Sequence, residues 1–271
     1  MDATYVTGVL LPLAYTLLSG AAVAVARAMG MVMMTPAFTR LGLTGMIRSS
    51  VAVVISLPMI PSVLHAMPQG AEQPGAVLIA MILIKELAVG CVIGLVFGVP
   101  FWAAEVAGDL VDLQRGSTMA QLVDPGSATE STIMATLLTI TMVALFFMSG
   151  AFLLLLDGLY RSYDLWPAAS MGPVLREGAF PLVLGLLDRI MQTALVLIAP
   201  VVVALLIAEV MLAFLSRMSP QLNIFDLSLS VKNLIFCLVI LLYAVFLVPL
   251  MVDQFGMLKG AQDILRALAG N

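Results

Sequence analysis

The 271-residue chain is 62% hydrophobic and 10% charged, with a mean hydropathy of +1.13, whereas soluble domains are roughly 45–50% apolar and 25% charged. These values exclude a soluble domain and describe an integral membrane protein. A formal charge of −4, with 12 Lys and Arg scattered along the chain, also excludes nucleic acid as a partner, because phosphate recognition needs clustered cations.

A helix needs about 20 predominantly apolar residues to cross the hydrocarbon core, and about six runs qualify, at roughly 6–35, 47–65, 76–103, 132–157, 180–215 and 229–252. Stretches such as Phe152 to Leu156 and Val201 to Ile207 lack the alternation of barrel strands. The expected fold is therefore all-α, with one membrane-embedded domain over 1–252 and a tail over 253–271. The first run follows Asp2 rather than a basic region and exceeds the roughly 7–15 apolar residues of a signal-peptide core, which predicts a retained helix. It holds Arg27, small residues from Ser19 to Ala28 and a cluster of methionines, and stops at Thr35-Pro36. Pro58 and Pro61 bend or end the second run, and Pro68 to Pro74 marks a short polar turn.

The third run carries Lys85 and Glu86, then Gly90, Gly94 and Gly98, whose spacing of four predicts a close-packing seam. If its helix continues, Glu105, Asp109 and Asp112 form an acidic stripe at i, i+4, i+7. Gln114, Arg115 and Gly116 follow, and the polar stretch closes at Asp124-Pro125-Gly126. Carboxylates within a membrane protein are costly and face a wet cavity or a partner. Ser127 to Glu130 fits a capping box, so a helix is expected to begin there. Residues 158–180 read as a mixed loop, with Tyr160, Tyr163 and Trp166 at a membrane boundary. The fifth run exceeds a single span and contains Pro200 and Glu209; it is either tilted and kinked or partly outside the bilayer. In the tail, Met257, Ala261, Ile264, Leu265 and Leu268 recur at helical spacing between polar residues, which predicts an amphipathic helix docked on a partner or on the membrane surface. Basic residues fall on both sides of the expected spans, so orientation stays open.

Little here suggests catalysis or a cofactor. There is one histidine, His65, and there is no HExxH, no metal-spaced cysteine pair, no GxSxG and no phosphate-cradling GxxxxGK[ST]. Cys91 and Cys237 both lie in apolar runs, where a thiol behaves as a small hydrophobe. Arg27, Lys85, Glu86, Glu105 and Glu209 lie deepest within the apolar runs. They form either an ion path or structural pairs, and their thin spread favours pairing. In that case Lys85 and Glu86 are expected to address different neighbours, since i, i+1 side chains do not face each other. The 19 methionines suit irregular packing or surfaces that accept varied partners.

Two stretches carry a resemblance: DLQRGSTMAQLVDP from Asp112 to Pro125, and SRMSPQLNIF from Ser216 to Phe225, with Lys232 following. Both are similar to signature segments of the FliR/SctT family, the export-gate membrane component of type III secretion systems. Phe225 to Ser230 resembles the injectisome branch more than the flagellar one. The resemblance implies tilted, kinked helical hairpins and a single subunit joined to several copies of two smaller hydrophobic proteins. It also implies a companion switch protein, unfolded secreted substrates and a place in the bacterial inner membrane, in contact with lipid. It further implies that the loop from Gly116 to Pro125 acts as a channel plug, with Met119 and Leu122 as apolar tips and Asp124 closing it. The stripe Glu105, Asp109, Asp112, Gln114 and Arg115 would then lie near the channel, wet or against basic partner residues. Pro220, Gln221, Asn223, Phe225 and Lys232 form either a turn facing partners or a plain interhelical turn. The alternative function is an autonomous secondary transporter or ion carrier built on the intramembrane charges.

Overall fold

A computed structural model describes residues 10–40, 42, 44–67, 75–116, 132–168, 170, 172, 174, 178–219 and 224–269. All regular structure among them is helical. In chain order the helices are α1 (Leu11–Met34), the short α2 (Pro36–Thr39), α3 (Gly45–Ser56), α4 (Ile60–Ala66), α5 (Ala76–Arg115), α6 (Ile133–Met148), α7 (Ala151–Leu165), α8 (Phe180–Met218), α9 (Ile224–Gln254) and α10 (Ala261–Ala269). Among the described residues, five spans are long and apolar enough to cross a membrane, and α6 with α7 makes a sixth if that broken pair is counted as one. The chain is thus a multi-pass helical membrane protein.

The breaks fall where backbone chemistry demands them. Pro58 and Pro61 bracket a 3-10 turn, Leu57–Met59, between α3 and α4. The run read as 132–157 is instead split, because Gly150 adopts φ +78° at the N-terminus of α7, a left-handed conformation in which glycine carries no steric penalty. The loop expected at 158–180 is shorter than that, since α7 continues to Leu165 and carries Tyr160 and Tyr163. The stripe's helix does continue, as α5 runs 40 residues through Pro100 to Arg115. α8 runs 39 residues through Pro200. At 1.5 Å per residue each is about 60 Å long, roughly twice the hydrocarbon thickness.

The chain divides into two compact units. One comprises Met1–Gly98, Gly150–Leu184 and Met257–Asn271; the other comprises Val99–Ser149 and Gly185–Gly256. In the first unit, α1 and α5 meet along glycines. A Cβ on Gly90 would stand 2.0 Å from the Arg27 carbonyl oxygen, one on Gly30 2.2 Å from that of Leu87, and one on Gly94 2.7 Å from that of Met31. The expected seam exists at Gly90 and Gly94, and Gly30 is its unforeseen counterpart on α1. Val23 and Ala24 of α1, Val63 of α4, Met67, Ile82 of α5 and Ala168 form a buried apolar cluster beside it. The tail's apolar face, Ala261, Leu265 and Leu268, is buried and α10 packs on α7, where Gln262 donates to Asp157 at 2.6 Å. Three residues of its apolar stripe are thus covered within the chain, while Ile264 is half-buried and Met257 exposed.

In the second unit, Phe101 of α5, Phe146 of α6 and Phe255 pack in edge-to-face and tilted contacts with ring centroids 5.3 to 6.2 Å apart. Near the end of α5, a Cβ on Gly108 would stand 2.2 Å from Ala135 Cα. The start of α6 therefore crosses α5 at backbone contact.

Candidate functional site

That crossing explains two of the three stripe carboxylates. The N-terminal amides of a helix lack intrahelical partners and carry a positive partial charge. Here Asp112 Oδ2 accepts from the Met134 amide at 2.8 Å, Thr132 Oγ1 accepts from the Ala135 amide at 3.3 Å, and the Thr132 hydroxyl donates to Asp109 Oδ1 at 2.9 Å. The cap of α6 is thus assembled from α5 and Thr132. The capping box at Ser127 to Glu130 lies outside the described residues. Asp112 is buried, so it is not the wet member the stripe implied, and its Oδ1 accepts from Arg115 Nε at 2.6 Å. Glu105 sits half-buried one turn before Asp109.

Arg115 ends α5 with its guanidinium 4.7 Å from the centre of the Phe236 ring, close enough for a cation–π attraction. Gly116 follows at φ +78°, and a Cβ there would also come within 2.7 Å of Leu229. Both conformation and crowding therefore favour glycine where the chain leaves α5. Beside this exit lies a cavity of about 680 Å³, bounded by Leu110, Leu113, Gln114, Arg115 and Gly116 of α5, by Leu195, Val202 and Glu209 of α8, and by Ser228, Leu229 and Lys232 of α9. Leu195, Val202 and Glu209 are spaced by seven, so they lie along one face of α8. Lys232 Nζ stands 3.3 Å from Glu209 Oε2, with the lysine side chain 13% and the glutamate 55% exposed.

Gln114, Arg115, Gly116, Glu209 and Lys232, far apart in sequence, thus share one cavity. Met119, Leu122, Asp124, Pro125, Pro220, Gln221 and Asn223 lie outside the described residues, as does the side chain of Phe225, whose backbone belongs to α9.

The remaining intramembrane charges form a separate cluster within the first unit. Arg27 donates through Nε to Glu86 Oε2 at 2.5 Å, through Nη1 to Ser162 Oγ at 2.9 Å, and through Nη2 to the Trp166 carbonyl at 2.6 Å. Its guanidinium carbon lies 3.7 Å from the centre of the Tyr163 ring. Lys85 donates to the carbonyls of Pro167, Ala168 and Ser170 at 2.9, 3.1 and 2.9 Å, which uses all three ammonium protons. Its nitrogen also lies 2.8 Å from Glu86 Oε1. That last contact lacks hydrogen-bond geometry and leaves Oε1 without a donor, so it is purely ionic. Pairing is therefore realised: Lys85 and Glu86 bond to different neighbours, as expected, and in addition touch each other. Among the described residues, no group of three or more His, Cys, Asp or Glu is placed to hold a metal ion.

A family model described as "Bacterial export proteins, family 1" matches residues 18–258. The chain belongs to this family. Within the bacterial export family, it is 39% identical over 184 residues to the Yop proteins translocation protein T of Yersinia pestis, covering 66% of this chain and 70% of that one. It is 34% identical over 204 residues to the surface presentation of antigens protein SpaR of Salmonella typhimurium, covering 74% and 73%. Against the flagellar biosynthetic protein FliR of Escherichia coli the identity is 24% over 199 residues, covering 73% and 74%. The export-family member described here is thus more similar to the Yersinia and Salmonella proteins than to that flagellar one.

Proposed function

We propose that this chain is the export-gate subunit of a type III secretion system in the bacterial inner membrane. It joins several copies of two smaller hydrophobic subunits and a companion switch protein, and it admits unfolded polypeptides. The observation that supports the reading is that the first family motif and the residues just after the second meet at one cavity. Gln114, Arg115 and Gly116 come from the first motif stretch, and Ser228, Leu229 and Lys232 follow the second. The loop from Gly116 to Pro125 acts as the plug, with Met119 and Leu122 as its apolar tips.

A conduit for unfolded chains has to retain ions yet yield to any side chain. A flexible apolar constriction meets both demands, because it seals by dewetting and by contact rather than by a specific fit. The chain has no phosphate-cradling motif, so the energy for export is supplied by another component. Deleting Gly116 to Leu122 tests the plug. Ion conductance across membranes carrying the assembled complex should rise, and background conductance with intact assembly would remove the plug role.

A further inference from the structure

We propose that the cavity between α5, α8 and α9 is a binding groove for one anionic glycerophospholipid, with an acyl chain along α8 and the phosphate at Lys232 and Arg115. The shape argues for a chain of methylenes rather than a helix. Leu195, Val202 and Glu209 all bound the cavity, so it follows α8 for about 21 Å at 1.5 Å per residue. Its volume of about 680 Å³, spread over that length, leaves a groove about 6 Å across, too narrow for a helix of about 10–12 Å with its side chains. Leu113 and Leu195 are more than half exposed, which leaves the groove open on its side to an acyl chain arriving from the bilayer.

The groove changes character along its length. Leu195 and Val202 make it apolar at one end, whereas Glu209 stands beside Lys232 at the other. Arg115 belongs to the same polar end, since it lies on Phe236, one turn beyond Lys232 on α9. Among the described residues that bound the groove, these two cations face one carboxylate. Arg115 uses Nε on Asp112, and its two Nη groups remain as donors. Lys232 is mostly buried, but its partner Glu209 is 55% exposed at 3.3 Å, and solvent weakens such a pair. A phosphodiester between the two cations would gain charge-assisted hydrogen bonds from both. Hydrocarbon leaving the bilayer for an apolar groove gains little, so the headgroup sets the selectivity.

The test titrates dipalmitoyl phosphatidylglycerol into the full chain in mild detergent, with any subunits that co-purify, and counts bound lipid by native mass spectrometry. One lipid per chain should bind in preference to dipalmitoyl phosphatidylcholine, and Val202→Trp, which fills the groove, should abolish it. Lys232→Gln should weaken that binding about tenfold or more, the scale of one charge-assisted hydrogen bond. Glu209→Gln should instead tighten it several-fold, because the phosphate no longer competes with a carboxylate for the ammonium. Those opposite signs separate recognition from damage to the fold. Arg217→Gln, which removes an exposed cation of α8 that does not bound the groove, should change nothing. Equal binding of both lipids overturns the proposal, and so does a shift in the same direction, or none, for Lys232→Gln and Glu209→Gln. Glycerol phosphate binding as tightly as the lipid would show an anion site without an acyl groove and overturns it too. The groove lies within one compact unit of this chain, so these outcomes are decided independently of the export-gate reading.

Discussion

Arg27 shows what one buried side chain can hold. Its three donor groups reach Glu86, Ser162 and the Trp166 carbonyl, tying α1 to α5 and to the end of α7 in a site with no solvent exposure. Removing one partner of a buried pair leaves an uncompensated charge and costs about 3–5 kcal/mol. Arg27→Met should therefore lower the thermal stability of the purified complex by that order. Arg27→Lys should rescue little, because an ammonium cannot reproduce a planar fork aimed at three acceptors and stacked on Tyr163. Combining Arg27→Met with Glu86→Leu should cost less than Arg27→Met alone, since no anion is then stranded. Equal melting temperatures for wild type and Arg27→Met would show that the cluster is incidental. That these charges pair was legible from their isolation in apolar runs. The contact between Lys85 and Glu86 was not, because periodicity places side-chain origins while a four-carbon stem lets the lysine head reach back.

At the scale of elements, the glycines divide by what faces them. Gly90 on α5 has the Arg27 carbonyl where its Cβ would stand, whereas Gly185 on α8 has nothing within 4 Å. Gly90→Ala must push α1 and α5 apart, and it should sharply reduce the yield of assembled complex in a pull-down of co-expressed subunits. Gly185→Ala should leave yield intact and stabilise by about 0.5–1 kcal/mol, the usual gain for glycine replaced within a helix. If both behave alike, the seam is not a contact of consequence. The repeat of Gly90 and Gly94 was visible because helical spacing puts both on one face. Gly30 was not, because a lone glycine within a methionine cluster has no period to reveal its partner. The same reasoning separates Gly150 from Asp112. Gly150 interrupts an apolar run within a Ser-Gly pair, which marks a break locally. Asp112 caps a helix that begins 21 positions later, and no short-range pattern connects the two. An acidic stripe seen in isolation therefore suggested a wet face, when Asp112 caps a helix and Asp109 holds the hydroxyl of the other capping residue, Thr132.

Across the whole molecule, the length of the helices decides what must surround them. α8 exposes Leu182, Leu184 and Leu187 near its start and Val210, Met211, Phe214 and Met218 near its end. From Leu182 to Met218 the helix advances about 54 Å at 1.5 Å per residue, against about 30 Å of hydrocarbon. Tilt takes up part of that difference, but a tilt steep enough to absorb all of it lies outside the usual range of 0–40°. Lipid alone therefore does not cover the exposed apolar side chains of α8. α9 adds Leu234, Leu238, Leu241, Leu242, Val245 and Phe246, all exposed. The remainder needs protein, and under the export-gate proposal the two smaller hydrophobic subunits are that cover. Expressed alone and extracted in mild detergent, the chain should elute as a broad, aggregating species. Co-expressed with those subunits, it should elute as one discrete hetero-oligomer containing them. A homogeneous, transport-active homo-oligomer of this chain alone would overturn the export-gate reading in favour of an autonomous transporter, because its own copies would then cover the apolar length of α8 and α9.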